Sequence, residues 1–145
     1  MRLLLVIMSF FFLGTGSASA ELVAVSSNLA DIRSSPSLVV STVLLQVPKY
    51  YPLLAQGAEG DFLKVTDYLG NTGWVQKTST DNTRTVVVKE KIVNLRQGAG
   101  RNNPVIFKAD GGVAFRVMGE KGNWLQVEHE TGVTGWLFKD LVWSN

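Results

Sequence analysis

The chain has 145 residues, 46% of them hydrophobic and 18% charged, with a formal net charge of +2, one histidine (His129) and no cysteine. Without cysteine there is no disulfide framework, thiol nucleophile, thiolate zinc site or iron–sulfur cluster, and one imidazole excludes a multi-histidine metal site. His129 is the only candidate base for a nucleophilic triad and has no recognisable partner, so no catalytic residue, metal or cofactor is expected and the chain does not read as an enzyme.

In chain order, residues 1–20 come first: Met1-Arg2, an apolar run from Leu3 to Leu13, then small residues ending at Ala18 and Ala20. This is the pattern of a secretory signal peptide, with cleavage expected after Ala20. The run covers about 16 Å as a helix, roughly half of a ~30 Å hydrocarbon core, so no stable membrane span is expected after cleavage. No cysteine is present to carry a lipid. The expected location is periplasmic or secreted. Loss of Arg2 lowers the net charge to +1, which argues against nucleic acid as a partner.

From Glu21 onward the pattern is all β. Leu38–Val47 is nearly continuously apolar, and Pro48 and Pro52, which cannot donate to a ladder, predict a loop or an edge. Leu63 and Val65 share one face by period two. Lys77–Thr83 is polar and reads as a linker, followed by the β-branched run Thr85–Val88. Val113, Phe115 and Val117, then Leu125 and Val127, alternate in the same way, and Glu128–Gly132 predicts a hairpin end with Gly132 left-handed. No stretch of ten residues shows clean helical periodicity. Short strands that turn this often are expected to close into small barrels, which removes sheet edges.

The sequence also repeats itself. Gly57–Trp74 aligns with Gly119–Trp136 at an offset of 62, and eight of 18 positions are identical, among them Leu63, Val65, Gly73 and Trp74 with their counterparts. Asp31-Ile32-Arg33 aligns with Asn94-Leu95-Arg96 at an offset of 63. Each unit is therefore about 62 residues, a size that buries only about 60% of its unfolded surface and is marginal alone.

These residues resemble the bacterial SH3-like domain. The second unit carries Val93-Asn-Leu-Arg-Gln-Gly98, Gly112-Val-Ala-Phe-Arg-Val117, Gly122-Asn-Trp-Leu-Gln-Val127 and Gly132-Val-Thr-Gly-Trp-Leu137 in the order of that family's pattern. The first carries Ala30–Pro36, Gly60–Val65 and Gly70–Val75, and departs by having Phe62 where tryptophan is usual. The resemblance implies two tandem SH3-like barrels, a divergent one over 21–80 and a second over 84–145. It further implies a binding module on exported, often wall-directed proteins, with cell-wall peptidoglycan as partner; the apolar, proline-rich stretch Leu38–Leu54 favours the alternative, an adaptor for an envelope protein.

Trp124 points away from the face of Leu125 and Val127, so it is a candidate ligand-stacking residue, with Phe62 at the equivalent place. The alternative is that it covers the barrel mouth or packs on the neighbouring unit. By analogy with the shelf of eukaryotic SH3 domains, Phe138 and Leu141 form the other wall, and Arg96 either binds a ligand or pins its turn. Trp74, Trp136, Leu63, Val65, Leu125 and Val127 are expected in the core. Trp143 is expected to dock, and Tyr50 and Tyr51 form either an exposed patch or an inter-unit contact. His129 reads as an exposed hairpin tip. Residues 83–145 hold nine basic and six acidic residues against four and six in 21–82, so Lys89, Lys91, Arg101, Lys108, Arg116 and Lys121 are candidates to steer an anionic polymer.

Overall fold

The computed structural model describes residues 19–144. The apolar run Leu3–Leu13 and the signal peptide read from it lie outside the described residues, and Ala20 immediately precedes the first strand. The first half holds β1 (Glu21–Val25), β2 (Leu29–Arg33), β3 (Val43–Pro48), β4 (Pro52–Glu59), β5 (Phe62–Thr66), β6 (Thr72–Gln76), a 3-10 turn (Lys77–Ser79) and β7 (Thr80–Asp81). The second holds β8 (Thr85–Val88), β9 (Ile92–Arg96), β10 (Val105–Asp110), β11 (Ala114–Lys121), β12 (Trp124–Glu128), β13 (Thr134–Phe138), a 3-10 turn (Lys139–Leu141) and β14 (Val142–Trp143). Part of the expected linker is thus built in, since Thr80–Asp81 pairs with β1.

Two seven-stranded antiparallel sheets result, ordered β3-β2-β6-β5-β4-β1-β7 and β10-β9-β13-β12-β11-β8-β14, the same order strand for strand. Neither ladder closes into the expected barrel, because the last strand of each sheet has only two residues and leaves β3 and β10 as free edges. The halves also share turn hydrogen bonds. Val25 N–H donates to Tyr51 O (3.0 Å) as Val88 N–H does to Val113 O (2.9 Å), and Asp67 N–H donates to Asn71 O (2.9 Å) as His129 N–H does to Val133 O (2.8 Å). At the turn before β4, Tyr50 takes φ 70°, where its counterpart Gly112 takes φ 90°. Gly132 is left-handed, at φ 91°.

Alternation along the strands builds the cores. Val65, Leu125 and Val127 are buried, whereas Leu63 is half-buried at the margin of the first core. The expectation for Trp74 and Trp136 is corrected. Val75 and Leu137 are fully buried, so by period two their neighbours Trp74 and Trp136 lie half-buried on the outer face. Trp74 there sits across from Lys64, whose ammonium is 6.0 Å from the indole centre.

The strand β8 does not alternate: all four of its residues are buried. Val86 and Val88 enter the second core, while Val87 joins Ala114 in the core cluster of the first half. Val87 pairs with both Ala114 and Trp143, which puts the three side chains on one side, and Trp143 packs against that cluster. Tyr51 is buried in the same cluster, with Tyr50 half-buried against it.

The tyrosine's polar end is held by Asp67, which is 5% exposed. Its carboxylate accepts from Tyr51 Oη (3.0 Å), Leu69 N–H (3.0 Å), Asn71 N–H (2.8 Å) and Asn71 Nδ2 (2.9 Å). One group therefore anchors the β5–β6 hairpin and the Tyr51 ring together.

Where β2 crosses β6 the backbones approach closely. A Cβ on Gly73 would lie 2.5 Å from Ile32 Cγ2 and 2.9 Å from Arg33 O. Gly73→Ala is expected to cost about 2 kcal/mol by this overpacking, read as a lower urea midpoint at unchanged slope. Gly135→Ala, whose nearest contact is 3.1 Å to Leu95 Cβ, is expected to cost less. Equal midpoints for the two variants would overturn the assignment.

Candidate functional site

On the second sheet β12 begins with Trp124 and β13 ends with Phe138, and the two are direct cross-strand partners. Directly paired side chains project to one side, and here the rings lie 5.5 Å apart at an interplanar angle of 57°. Both remain half-exposed. Leu141, from the 3-10 turn after β13, and Ile92 and Asn94, from β9, complete a groove of about 280 Å3 with Arg96 and Arg101.

The arginines divide the work. Arg96 Nη1 donates to the carbonyl oxygens of Arg101 (3.0 Å) and Asn103 (2.9 Å), so it fixes the loop between β9 and β10. That fixed loop carries the Arg101 guanidinium to 5.8 Å from the Phe138 ring centre. A cation over an aromatic face beside a second exposed ring suits a ligand with a flat or ring-shaped apolar face and acceptor groups at its rim.

The structure thus brings Trp124, Phe138, Leu141 and Arg96 together, with Arg96 positioning the loop. It does not place Phe62 in an equivalent site. Phe62 is 6% exposed and faces Gln76 across the ladder, so the first half has no matching aromatic pair. A phenyl ring carries no N–H that must reach a partner, and it can be withdrawn from water entirely. Of the six candidate steering cations only Arg101 reaches the groove; Arg116 pairs with Glu128 at 3.1 Å. Sequence reasoning missed Ile92 and Asn94, although Asn94 alternates with buried Val93 and Leu95 and its outward direction follows from period two.

His129 is not a free hairpin tip. Its ring meets Phe115 edge-on at 5.7 Å, and Nδ1 lies 2.8 Å from Thr131 Oγ1 and 3.3 Å from Thr131 N. Among the described residues no group of three His, Asp or Glu side chains stands close enough to hold a metal ion. No helix among them is long and apolar enough to cross a membrane.

Residues 89–144 match the bacterial SH3 domain family. Over 92% of its length the chain is 24% identical to a Bacillus subtilis protein described as a putative N-acetylmuramoyl-L-alanine amidase, YrvJ. It spans only 27% of that relative. Among solved structures it is similar to NlpC2 from Trichomonas vaginalis, at 13% identity and TM-score 0.40 over 88% of this chain and 49% of that one. It is also similar to an NlpC/P60 family protein from Bacillus cereus, at 12% identity and TM-score 0.42 over 85% of this chain and 56% of that one.

Proposed function

We propose that the chain is an exported, non-catalytic cell-wall-binding protein made of two SH3-like modules. In this reading the groove of the second module takes a sugar ring or stem peptide of peptidoglycan. The observation that carries it is the half-exposed Trp124–Phe138 pair with Arg101 above it, in the segment that matches the bacterial SH3 domain. A relative named as an amidase of N-acetylmuramoyl-L-alanine supports a wall context. The shared strand order and turn hydrogen bonds support reading the first half as a second, divergent module. The leader-like residues 1–20 support a periplasmic or secreted location.

The test is co-sedimentation of the protein with intact peptidoglycan sacculi across a salt series. Saturable binding that survives moderate salt is expected, because stacking is screened far less than surface charge. Trp124→Ala is expected to weaken it about tenfold while leaving the melting temperature nearly unchanged. Binding that vanishes with salt, or that is indifferent to Trp124→Ala in a folded protein, overturns the groove assignment.

A second reading, an adaptor for an envelope protein, is favoured by one surface. Leu38, Val39, Val40, Val43 and Leu44 are all exposed, Val39 to 88%, on the loop before β3 and on that free edge. Crosslinking in envelope extract that returns no reproducible protein counts against it.

A further inference from the structure

The two halves superimpose in topology, and this makes one difference between them informative. In the first half the Tyr51 side chain fills the space beside Ile32, Val47 and Leu53, with its hydroxyl on Asp67. The matching hydrogen bonds put Val113 at the place of Tyr51 and His129 at the place of Asp67. Leu95, Ala109 and Phe115 stand for Ile32, Val47 and Leu53. Where the second half has the shorter valine there is a cavity of about 320 Å3, whose lining includes Phe107, Lys108, Asp110, Val113, Phe115 and His129. It opens beside β10, a free sheet edge whose Val105, Ile106 and Phe107 are exposed.

The polar group at the place of Asp67 has changed from a carboxylate to an imidazole, with Lys108 and Asp110 both on the lining. A backbone N–H can only donate, so the approach of Thr131 N to His129 Nδ1 makes that nitrogen the acceptor and puts the ring proton on Nε2. That N–H has no hydrogen-bond partner among the described residues. Where the first half offers a carboxylate acceptor to its own tyrosine, the second offers an imidazole donor, with the Lys108 ammonium and the Asp110 carboxylate on the same lining. A phenol suits either arrangement, since its oxygen both donates and accepts.

We propose that this cavity is a second binding site, distinct from the Trp124 groove, which takes a tyrosine side chain from an extended segment of a partner protein. The segment pairs along the free edge of β10 and seats its phenol against His129, reproducing from outside the contact that Tyr51 makes within the first half. Strand addition supplies the main-chain hydrogen bonds, and the cavity supplies the side-chain specificity.

The test is an NMR titration of the labelled protein with the capped peptide Thr-Val-Tyr-Val-Thr, and with the same peptide carrying alanine for tyrosine. Expected are saturable shifts at the Val113 methyls, the Thr131 amide and the His129 ring, with affinity about tenfold weaker for the alanine peptide. Val113→Tyr fills the cavity from within and is expected to abolish those shifts while sacculus binding through Trp124 persists. Equal affinity of the two peptides, absence of saturable shifts, or an unchanged titration of folded Val113→Tyr overturns the proposal. Should Val113→Tyr not fold, Phe107→Ala removes an exposed wall of the cavity. It is expected to weaken the tyrosine peptide severalfold, and an unchanged titration then overturns the proposal equally.

Discussion

Replacing Asp67 with alanine is expected to lower the stability of the protein by about 4 kcal/mol. The carboxylate is buried and accepts four hydrogen bonds, two of them from backbone N–H groups of the β5–β6 turn. A hydrogen bond to a charged acceptor contributes about 1.5–3 kcal/mol and a buried hydroxyl left without its acceptor costs about 1–3 more, whereas water replaces much of what the three part-buried bonds of the turn lose. Calorimetry is expected to show a melting temperature lower by roughly 15 °C. Asp67→Asn keeps one acceptor oxygen for the turn but faces the Asn71 amide donor-to-donor, and is expected to lose about half as much. A melting temperature unchanged in Asp67→Ala would show that the turn is held by its backbone alone.

The same contact gives the protein a sensitivity to alkali. Burial pushes the Tyr51 hydroxyl well above the ordinary phenol value, and the Asp67 charge, the hydrogen bond to it and Tyr68 push it further. The native state therefore keeps a proton that the unfolded chain releases above about pH 10. This contribution is complete below that pH and declines above it, by about 1.4 kcal/mol for each pH unit. Tyr51→Phe is expected to flatten the decline in urea midpoints between pH 9 and 11; an equal slope in both proteins rejects the account.

Val87→Asp is expected to cost about 4 kcal/mol and to separate the melting of the two halves. Val87 has no exposed surface, yet it packs with the first half's core while its neighbours Val86 and Val88 serve the second. An aspartate there is an unpaired charge between two apolar faces, with no partner to offset its desolvation. Wild-type protein is expected to melt in one calorimetric transition, because about sixty residues make a marginal unit alone. The variant is expected to show two transitions, or one with a calorimetric enthalpy exceeding the van't Hoff value. A shift of less than about 2 °C would mean that the halves are stable independently.

Much of the fold was legible because half-buried strands write their faces in period two. Leu125 and Val127 point inward and Trp124 outward for that reason alone. The signal fails where both faces are buried: Thr85–Val88 reads as an undirected apolar run, and nothing in it says that Val87 belongs to the other half. Trp74 and Trp136 were misplaced because size and apolarity outweighed the alternation set by Val75 and Leu137. The groove was legible as far as its aromatics. Its arginines were not separable by sequence, since whether Arg96 meets carbonyls or a ligand depends on how the loop to Pro104 folds back. The cavity by His129 had a signal, the pairing of Tyr51 with Val113 and Asp67 with His129 at the repeat offset, but only the shared hydrogen bonds give that pairing a meaning.

The two-residue strands β7 and β14 carry a consequence for folding in time. Each is the last element of its half and pairs with the first, β7 with β1 and β14 with β8. Completing either sheet thus closes a loop on the order of fifty residues, a slow step paid in chain entropy before its contacts form. A chain emerging vectorially from a ribosome or a membrane pore finishes its first sheet once Asp81 is clear. It cannot finish the second until Trp143 has emerged, and Val86–Val88 wait meanwhile as an unprotected strand. The first half's core cluster also takes Val87 and Ala114, so the half that emerges first is itself completed only when the second arrives.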